Sequence, residues 1–480
     1  MADKKSLSIL ALILVAGAFL RFFHLGTESI WLDERYSIKL ASLPLASIIE
    51  ETSRDVHPPL YYFLLKYWSG GFGVSEAGVR SFSVITGLLL IGFSFLLGKR
   101  LAGAAAGLCM ALCVALSPFH IRYSQEARGY ELMALLACIS FLLFMDLLDG
   151  KKSWRPLAGL IMTTSLLTYV HAFGFFVLLA HDAAFAGLLL LNVPRVRERA
   201  VELLIMNGAV AALFLPWAKI LLQQIKAIQG DFWIPPPTLL SLPAAGIEFS
   251  GSLPLFCLLA LLAVTGCVAL ARHKAPETLL VIAWLIVPLA APLVISFMST
   301  PVFIPKACMA SSLAWYALVA IGVSAIKRQS LKAYFTIAFA GFTALALHPY
   351  YTAAHKPQWR DAAAYIDSRA LPGETLLFHA WYGEEEYAYY SQRRDLVSMG
   401  FPPAGASPTQ PVVEAFAKKM SDQQRLWLVV AHPEGPAGLP VSALARLYRI
   451  AGKKTFQVLK YTRTQWTTGI EIYLFEKNQR

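Results

Sequence analysis

Ile30-Trp31-Leu32-Asp33-Glu34-Arg35-Tyr36 places two adjacent carboxylates just after the first long apolar run of the chain. Neighbouring residues on a helix point about 100° apart, so one acid can face a cavity while the other is used elsewhere. Such a carboxylate can act as a general base or a metal ligand; the structural alternative is favourable charge at a helix N-terminus. His57, in Asp55-Val56-His57-Pro58-Pro59-Leu60-Tyr61-Tyr62, can ligate a metal, hydrogen-bond a substrate or simply end a segment. Residues 117–131 form a polar break between apolar runs. In it, Arg122 with Glu126 and Arg128 with Glu131 stand at spacings that allow ion pairs on one helix face. The other reading turns Glu126 and Arg128 towards a cavity, with Arg128 able to take a phosphate. Lys306 follows Pro301 and Pro305 and suits either a snorkelling lysine or a point charge for a phosphate.

These residues need a scaffold, and the composition says what kind. Of 480 residues, 57% are hydrophobic and 15% charged, with a mean hydropathy of +0.55. Soluble domains carry roughly 25% charged residues. Apolar runs near the ~20 residues that cross a bilayer recur through the first three quarters. The sequence predicts spans at residues 7–23, 79–98, 101–118, 129–148, 156–171, 173–192, 200–217, 253–271, 278–298, 306–326 and 331–347, about eleven in all. The first run is read as a retained span rather than a cleaved signal.

The net charge of +12 does not point to nucleic acid, because Lys4-Lys5, Lys99-Arg100, Lys151-Lys152, Arg195/Arg197/Arg199, Arg272/Lys274 and Lys327-Arg328 sit in short breaks between apolar runs. That distribution is the positive-inside pattern and predicts a cytoplasmic N-terminus in the cytoplasmic membrane. Residues 24–78, 119–128, the turn near His171, 218–252, 299–305 and everything after 348 then lie outside. Most ionisable groups at span ends fall on that side, which predicts a single polar cavity opening outwards. His181 and Asp182 are the exception, near mid-membrane. Within residues 24–78 the pattern predicts a helix at roughly 34–53 and another at about 59–69. The loop 218–252, with its Phe232-Trp-Ile-Pro-Pro-Pro237, is a candidate lid.

From about residue 356 the composition becomes that of a soluble domain. Helices at 358–370, 383–392, 411–420 and 441–448 and strands at 374–378, 425–431, 455–461 and 469–476 predict a small α/β domain over 348–480, after a membrane domain over 1–347. No glycine-rich phosphate loop appears in it. The six cysteines lie in or beside apolar runs without metal-like spacing.

Taken together, Trp31-Leu-Asp-Glu34, His57-Pro-Pro-Leu-Tyr-Tyr62, Tyr123-Ser-Gln-Glu-Ala-Arg128 and Phe232-Trp-Ile-Pro-Pro-Pro237 resemble the bacterial family 39-type glycosyltransferases. These are relatives of the protein O-mannosyltransferases and of the aminoarabinose and lipopolysaccharide-core sugar transferases, all of the GT-C fold. The resemblance covers roughly residues 5–350, and the C-terminal domain looks like the extracytoplasmic α/β domains of such enzymes. It implies transfer of a sugar from a polyprenyl-phosphate donor to an extracytoplasmic lipid, glycan or protein. By the same resemblance Asp33 is the catalytic base, while Glu34 and Glu126 position substrate or, in some relatives, a divalent cation. Many relatives carry an arginine at the start of the helix after the 299–305 loop, where this chain has Lys306. The catalytic candidates are thus Asp33 and Glu34. The substrate-binding candidates are His57, Tyr61, Gln125, Glu126, Arg128, His171 and Lys306. A secondary transporter or flippase of lipid-linked sugars, or a polysaccharide polymerase or ligase, is the alternative. A transporter is expected to carry broken helices, midplane charges and internal repeats, and only His181 and Asp182 fit that description.

Overall fold

The computed structural model describes residues 4–149, 154–194, 196–229, 232–406, 408–431, 438–460 and 468–478. Lys151, Lys152 and Arg195, named above in the basic clusters, lie outside them. The chain forms two compact units, one of residues 1–25 and 37–347 and one of residues 26–36 and 348–480.

The first unit is helical. Its helices are α1 (Lys4–Phe22), the end of α2 (Leu32–Ser42), α3 (Leu45–Arg54), α4 (Leu60–Phe72), α5 (Glu76–Ala102), α6 (Ala104–Leu116), α7 (Pro118–Ser124), α8 (Tyr130–Leu148), α9 (Trp154–Val170), α10 (Gly174–Leu190), α11 (Ala200–Ala227), α12 (Ser241–Ser250), α13 (Leu253–His273), α14 (Ala275–Met298), α15 (Met309–Ala325) and most of α16 (Gln329–Thr352). Among the described residues, eight helices are long and apolar enough to cross a membrane, or nine if α6 and α7, bent by 58°, form one broken span. The expected eleven is reached only by adding α9 and α10, each of 17 residues, short of the ~20 residues that a bilayer needs.

Three local differences from the sequence reading have chain-chemistry causes. The helix expected at 34–53 is two helices, because Pro44 stands between them as the N-cap of α3. The span expected to end at 217 runs through Pro216 to Ala227. The start of the 218–252 stretch is therefore helix rather than loop, and α12 occupies residues 241–250 of it. Pro118 separates α6 from α7 and supplies no N–H to the Val114 carbonyl one turn back.

Arg21, fully buried in α1, fills that gap. Its NH2 donates to Val114 O at 2.9 Å, its NH1 to Ala115 O at 2.9 Å and its Nε to Ser124 Oγ at 3.0 Å. Elsewhere α13 and α15 touch backbone to backbone. A Cβ on Gly266 would stand 1.9 Å from Leu318 O, and one on Gly322 2.0 Å from Leu262 O, the close approach that small residues permit between membrane helices. In α10, the His181 ring packs at a tilt against Phe141 and Phe144 at 4.4 and 4.7 Å, and neither ring nitrogen is hydrogen-bonded among the described residues. Asn207 donates to Asp182 at 2.9 Å.

In the second unit, α17 (Trp359–Asp367), β1 (Thr375–His379), α18 (Gly383–Tyr390), β2 (Val397–Gly400), α19 (Gln410–Lys419), β3 (Arg425–Val430), α20 (Gly438–Ala445), β4 (Tyr448–Phe456) and β5 (Ile470–Lys477) follow the membrane helices. The sheet order is β2-β1-β3-β5-β4, parallel at β1/β2 and β1/β3 and antiparallel at β3/β5 and β4/β5. Strand alternation sends Leu376, Phe378, Trp427, Val429 and Ile472 to one core with α17, and Leu377, Leu426, Leu428, Tyr473 and Phe475 to another with α19 and α20. Both faces are buried, so the central strands read as continuous apolar runs. The strand expected at 455–461 is instead β4, ending at Phe456, and β2 was not expected.

Candidate functional site

In the first unit the polar residues gather around Arg128, which sits in the turn between α7 and α8. Arg128 donates to His57 Nε2 at 2.7 Å and to Tyr62 Oη at 3.3 Å, and its carbonyl accepts from Ser83 Oγ at 3.3 Å. Two prolines after His57 end the loop from α3 and start α4, which puts Tyr61 and Tyr62 in the first turn of α4 beside the arginine. Tyr61 is buried, packs on Tyr62 and Phe82, and covers Gly129, where a Cβ would meet its ring at 3.3 Å.

The two histidines here are neutral at ordinary pH. His57 lies well below the usual 6.5, first because burial disfavours its cation and then because Arg128, His171 and Lys306 add positive charge. His171 is brought down to about 3 by burial, with Arg128 and Lys306 adding to it. A guanidinium only donates, so His57 Nε2 accepts and its proton sits on Nδ1. The backbone N–H of Phe173 donates to His171 Nδ1 at 3.1 Å, which leaves that ring's proton on Nε2. The rings of His57 and His171 stand 5.2 Å apart.

Lys306, on the short turn Pro305–Cys308 that leads into α15, lies over the rings of Tyr130 and Trp233 at 5.3 and 5.8 Å. The cluster therefore has two fixed cations, neutral imidazoles and aromatic walls, a set that favours an anion able to accept several hydrogen bonds. A cavity of about 440 Å³ lies between Gln229, Phe232, Ile234 and Pro236 on one side and Ser299, Thr300 and Pro301 on the other. None of the candidate ionic residues lines it.

Two other candidates have structural partners. Gln125 donates its amide to the carbonyls of Arg21 and Phe23 at 2.9 and 2.8 Å, closing the end of α1. Glu126, 4% exposed, pairs with Arg122 at 3.5 Å. The expected Arg122–Glu126 pair thus forms. Glu131 is instead hydrogen-bonded to His120 Nδ1 at 2.9 Å, and His120 Nε2 reaches Ser312 at 2.9 Å.

The acidic pair belongs to the second unit, with residues 26–36. Both acids lie in the first turn of α2, where their charge suits the helix dipole. Their surroundings differ. Glu34 is fully buried and paired at 3.0 Å with Lys356, itself 8% exposed, whereas Asp33 is partly exposed. Arg35 donates to Glu385 O at 3.2 Å and lies over the Tyr389 ring, and Ile30 N donates to Tyr390 Oη at 2.7 Å. One turn of α18 from these contacts, Glu386 is 1% exposed, and neither carboxyl oxygen is hydrogen-bonded to another described residue. Burial, with the charges of Glu385 and Asp33 adding, pushes it up to about 8, against the pull of Arg35.

Sequence reasoning missed Lys356 and Glu386. Lys356 pairs within the second unit with Glu34, more than 300 positions away, and no local spacing signals such a partner; Glu386 is set apart by its burial, which local sequence does not show either. Among the described residues no three His, Cys, Asp or Glu side chains gather as a metal ion would require. Glu34 and Glu126, the two acids considered for one, each have a cation as partner.

The sequence pattern of the dolichyl-phosphate-mannose-protein mannosyltransferase family matches residues 56–219, about a third of the chain. No curated protein sequence matches it. Among solved structures it is similar to ArnT from Cupriavidus metallidurans in the apo state, at 13% identity over 97% of each chain with a TM-score of 0.64. The same protein bound to undecaprenyl phosphate matches at 12% identity over 99% of this chain and 98% of that one, with a TM-score of 0.62. The archaeal oligosaccharyltransferase AglB from Archaeoglobus fulgidus, in complex with an inhibitory peptide and a dolichol-phosphate, matches at 12% identity over 89% of this chain and 69% of that one, with a TM-score of 0.57. The chain is a multi-pass membrane protein with the fold of the GT-C glycosyltransferases.

Proposed function

We propose that the protein is a membrane glycosyltransferase that moves a sugar from a polyprenyl-phosphate donor to an extracytoplasmic lipid, glycan or protein. The observation that carries this reading is the cluster around Arg128. Two cations are held among neutral histidines and aromatic rings, a setting suited to a lipid phosphate. The match to a solved structure bound to undecaprenyl phosphate supports the same ligand class.

In the reaction, the acceptor hydroxyl attacks the anomeric carbon and the bond from that carbon to the phosphate oxygen breaks. Asp33 takes the hydroxyl proton as general base. The polyprenyl phosphate leaves as an anion, and Arg128 and Lys306 stabilise its growing charge. Being neutral, His57 and His171 orient rather than neutralise: His57 holds the guanidinium and His171 offers an Nε2–H to a phosphate oxygen. The scheme has no step through a metal.

The test is a transfer assay with the purified chain and a labelled polyprenyl-phosphate sugar. Asp33→Asn keeps the shape and removes the base, and is expected to lower transfer by at least ~100-fold, within the range for positioned acid–base groups. Near-normal product from that variant sinks the assignment of Asp33. Uptake of lipid-linked sugar into vesicles without transfer favours a transporter instead.

A further inference from the structure

The acidic motif is seated by residues from the far end of the chain. Glu28 accepts from the backbone N–H groups of His355 and Lys356, and Ser29 Oγ accepts from Arg360 N at 3.1 Å. The Arg360 guanidinium reaches the carbonyls of Thr27 and Gly26, both at 3.1 Å. These contacts fix residues 26–29, upstream of the acids. Tyr390 and the Glu385 carbonyl hold Ile30 and Arg35 on either side of them. Within the acidic pair, the Glu34 side chain is gripped by Lys356 in a buried pair at 3.0 Å.

Breaking a buried ion pair by removing one member is strongly unfavourable, so Lys356 contributes to holding Glu34 in place. Asp33 shares the same helical turn, one residue away. Whatever fixes Glu34 also fixes the backbone from which Asp33 projects.

We infer that Lys356 is a positioning residue for sugar transfer: by neutralising Glu34 within the second unit it locks the first turn of α2 and so aims Asp33. Glu34 then serves as the anchor of the pair and Asp33 as its reacting member. The inference rests on the glycosyltransferase reading for its kinetic consequence, but not for its structural one.

The experiment uses the full chain in detergent or nanodiscs and three variants: Lys356→Met, Lys356→Arg and the neutral pair Glu34→Gln with Lys356→Met. Two readouts are taken. The first is hydrogen exchange of the peptide covering residues 26–36. It is expected to speed up in Lys356→Met and to return towards the parent rate in Lys356→Arg and in the neutral pair.

The second readout is transfer from a labelled polyprenyl-phosphate sugar. The expected result in Lys356→Met is a kcat lower by about 10- to 100-fold, the range for a small misplacement of a reacting group, with the donor KM within about twofold of the parent. Lys356→Arg and the neutral pair recover most of that loss. Unchanged exchange in Lys356→Met overturns the inference whatever the activity. So does an equal loss of kcat in all three variants, which marks a generally damaged fold, and so does a kcat within about twofold of the parent in Lys356→Met. If the parent shows no transfer while the exchange pattern is as expected, the glycosyltransferase reading fails and the lock stands.

Discussion

Arg128 is the residue on which the phosphate-binding reading turns. Its guanidinium is oriented by His57 and Tyr62 before any ligand arrives, and preorganised donors lose less on binding than mobile ones. Arg128→Ala is expected to raise the KM for a polyprenyl-phosphate sugar by roughly 10- to 100-fold, since a charge-assisted bidentate contact is among the stronger polar interactions. Steady-state kinetics at varied donor concentration measures it, and an unchanged KM removes Arg128 from the phosphate site.

Glu386 makes a second prediction at this scale. Its folded value of about 8 lies above the usual 4.5 for a glutamate, so the carboxyl stays protonated in the fold after the unfolded chain has lost its proton. Its contribution to stability is therefore complete below about pH 4.5, declines as pH rises towards 8 and is flat above it. Glu386→Gln, neutral at every pH, is expected to raise the melting temperature of the full chain at pH 8 by a few degrees and to leave it unchanged at pH 4. Thermal unfolding followed by tryptophan fluorescence at both pH values decides it.

Residue types alone offered Arg128 and Lys306 for a phosphate and His57 for a metal or a substrate hydrogen bond, and the structure brings these three residues into one cluster. They did not reveal that Gln125 closes the end of α1, nor that Glu34 pairs with a lysine from the far end of the chain. Those facts depend on which distant backbone or side chain arrives next to each group.

At the scale of elements, apolar runs gave away the membrane helices because burying ~20 apolar residues in lipid leaves little choice of structure. Helix breaks were harder to read. Pro216 sits inside α11 and Pro44 ends a segment, and local sequence does not say which proline a surrounding bundle tolerates. The break at Pro118 depends on Arg21, from a helix about a hundred residues earlier.

Arg21→Met is accordingly expected to destabilise the detergent-solubilised chain by about 2–4 kcal/mol, because buried carbonyls lose their donors. Chemical or thermal unfolding checks it, and an unaltered midpoint means that the carbonyls find other donors. In the second unit, β2 escaped notice because it has only four residues and an edge position. The turn that feeds it sets its place more than its own composition does.

At the scale of the whole molecule, the sequence predicted a membrane part over 1–347 and a soluble part over 348–480, while the two compact units are residues 1–25 with 37–347 and residues 26–36 with 348–480. What it did not reveal is that residues 26–36 fold with the C-terminal part. A stretch flanked by membrane helices reads as belonging to them, and its partners in the C-terminal part (a tyrosine hydroxyl, an arginine, a lysine) show where it is seated.

This arrangement orders events during biosynthesis. The ribosome makes Asp33 and Glu34 within the first few dozen residues, yet Lys356, Arg360 and Tyr390 emerge only after some 300 more. Until they do, the nascent protein has its acids but lacks the Lys356 pair and the Arg360 and Tyr390 contacts that seat residues 26–36. Premature termination anywhere before the final domain would thus yield a product whose residues 26–36 lack these contacts. A hybrid enzyme made by grafting a foreign tail would likewise need the matching stretch near its beginning transplanted too.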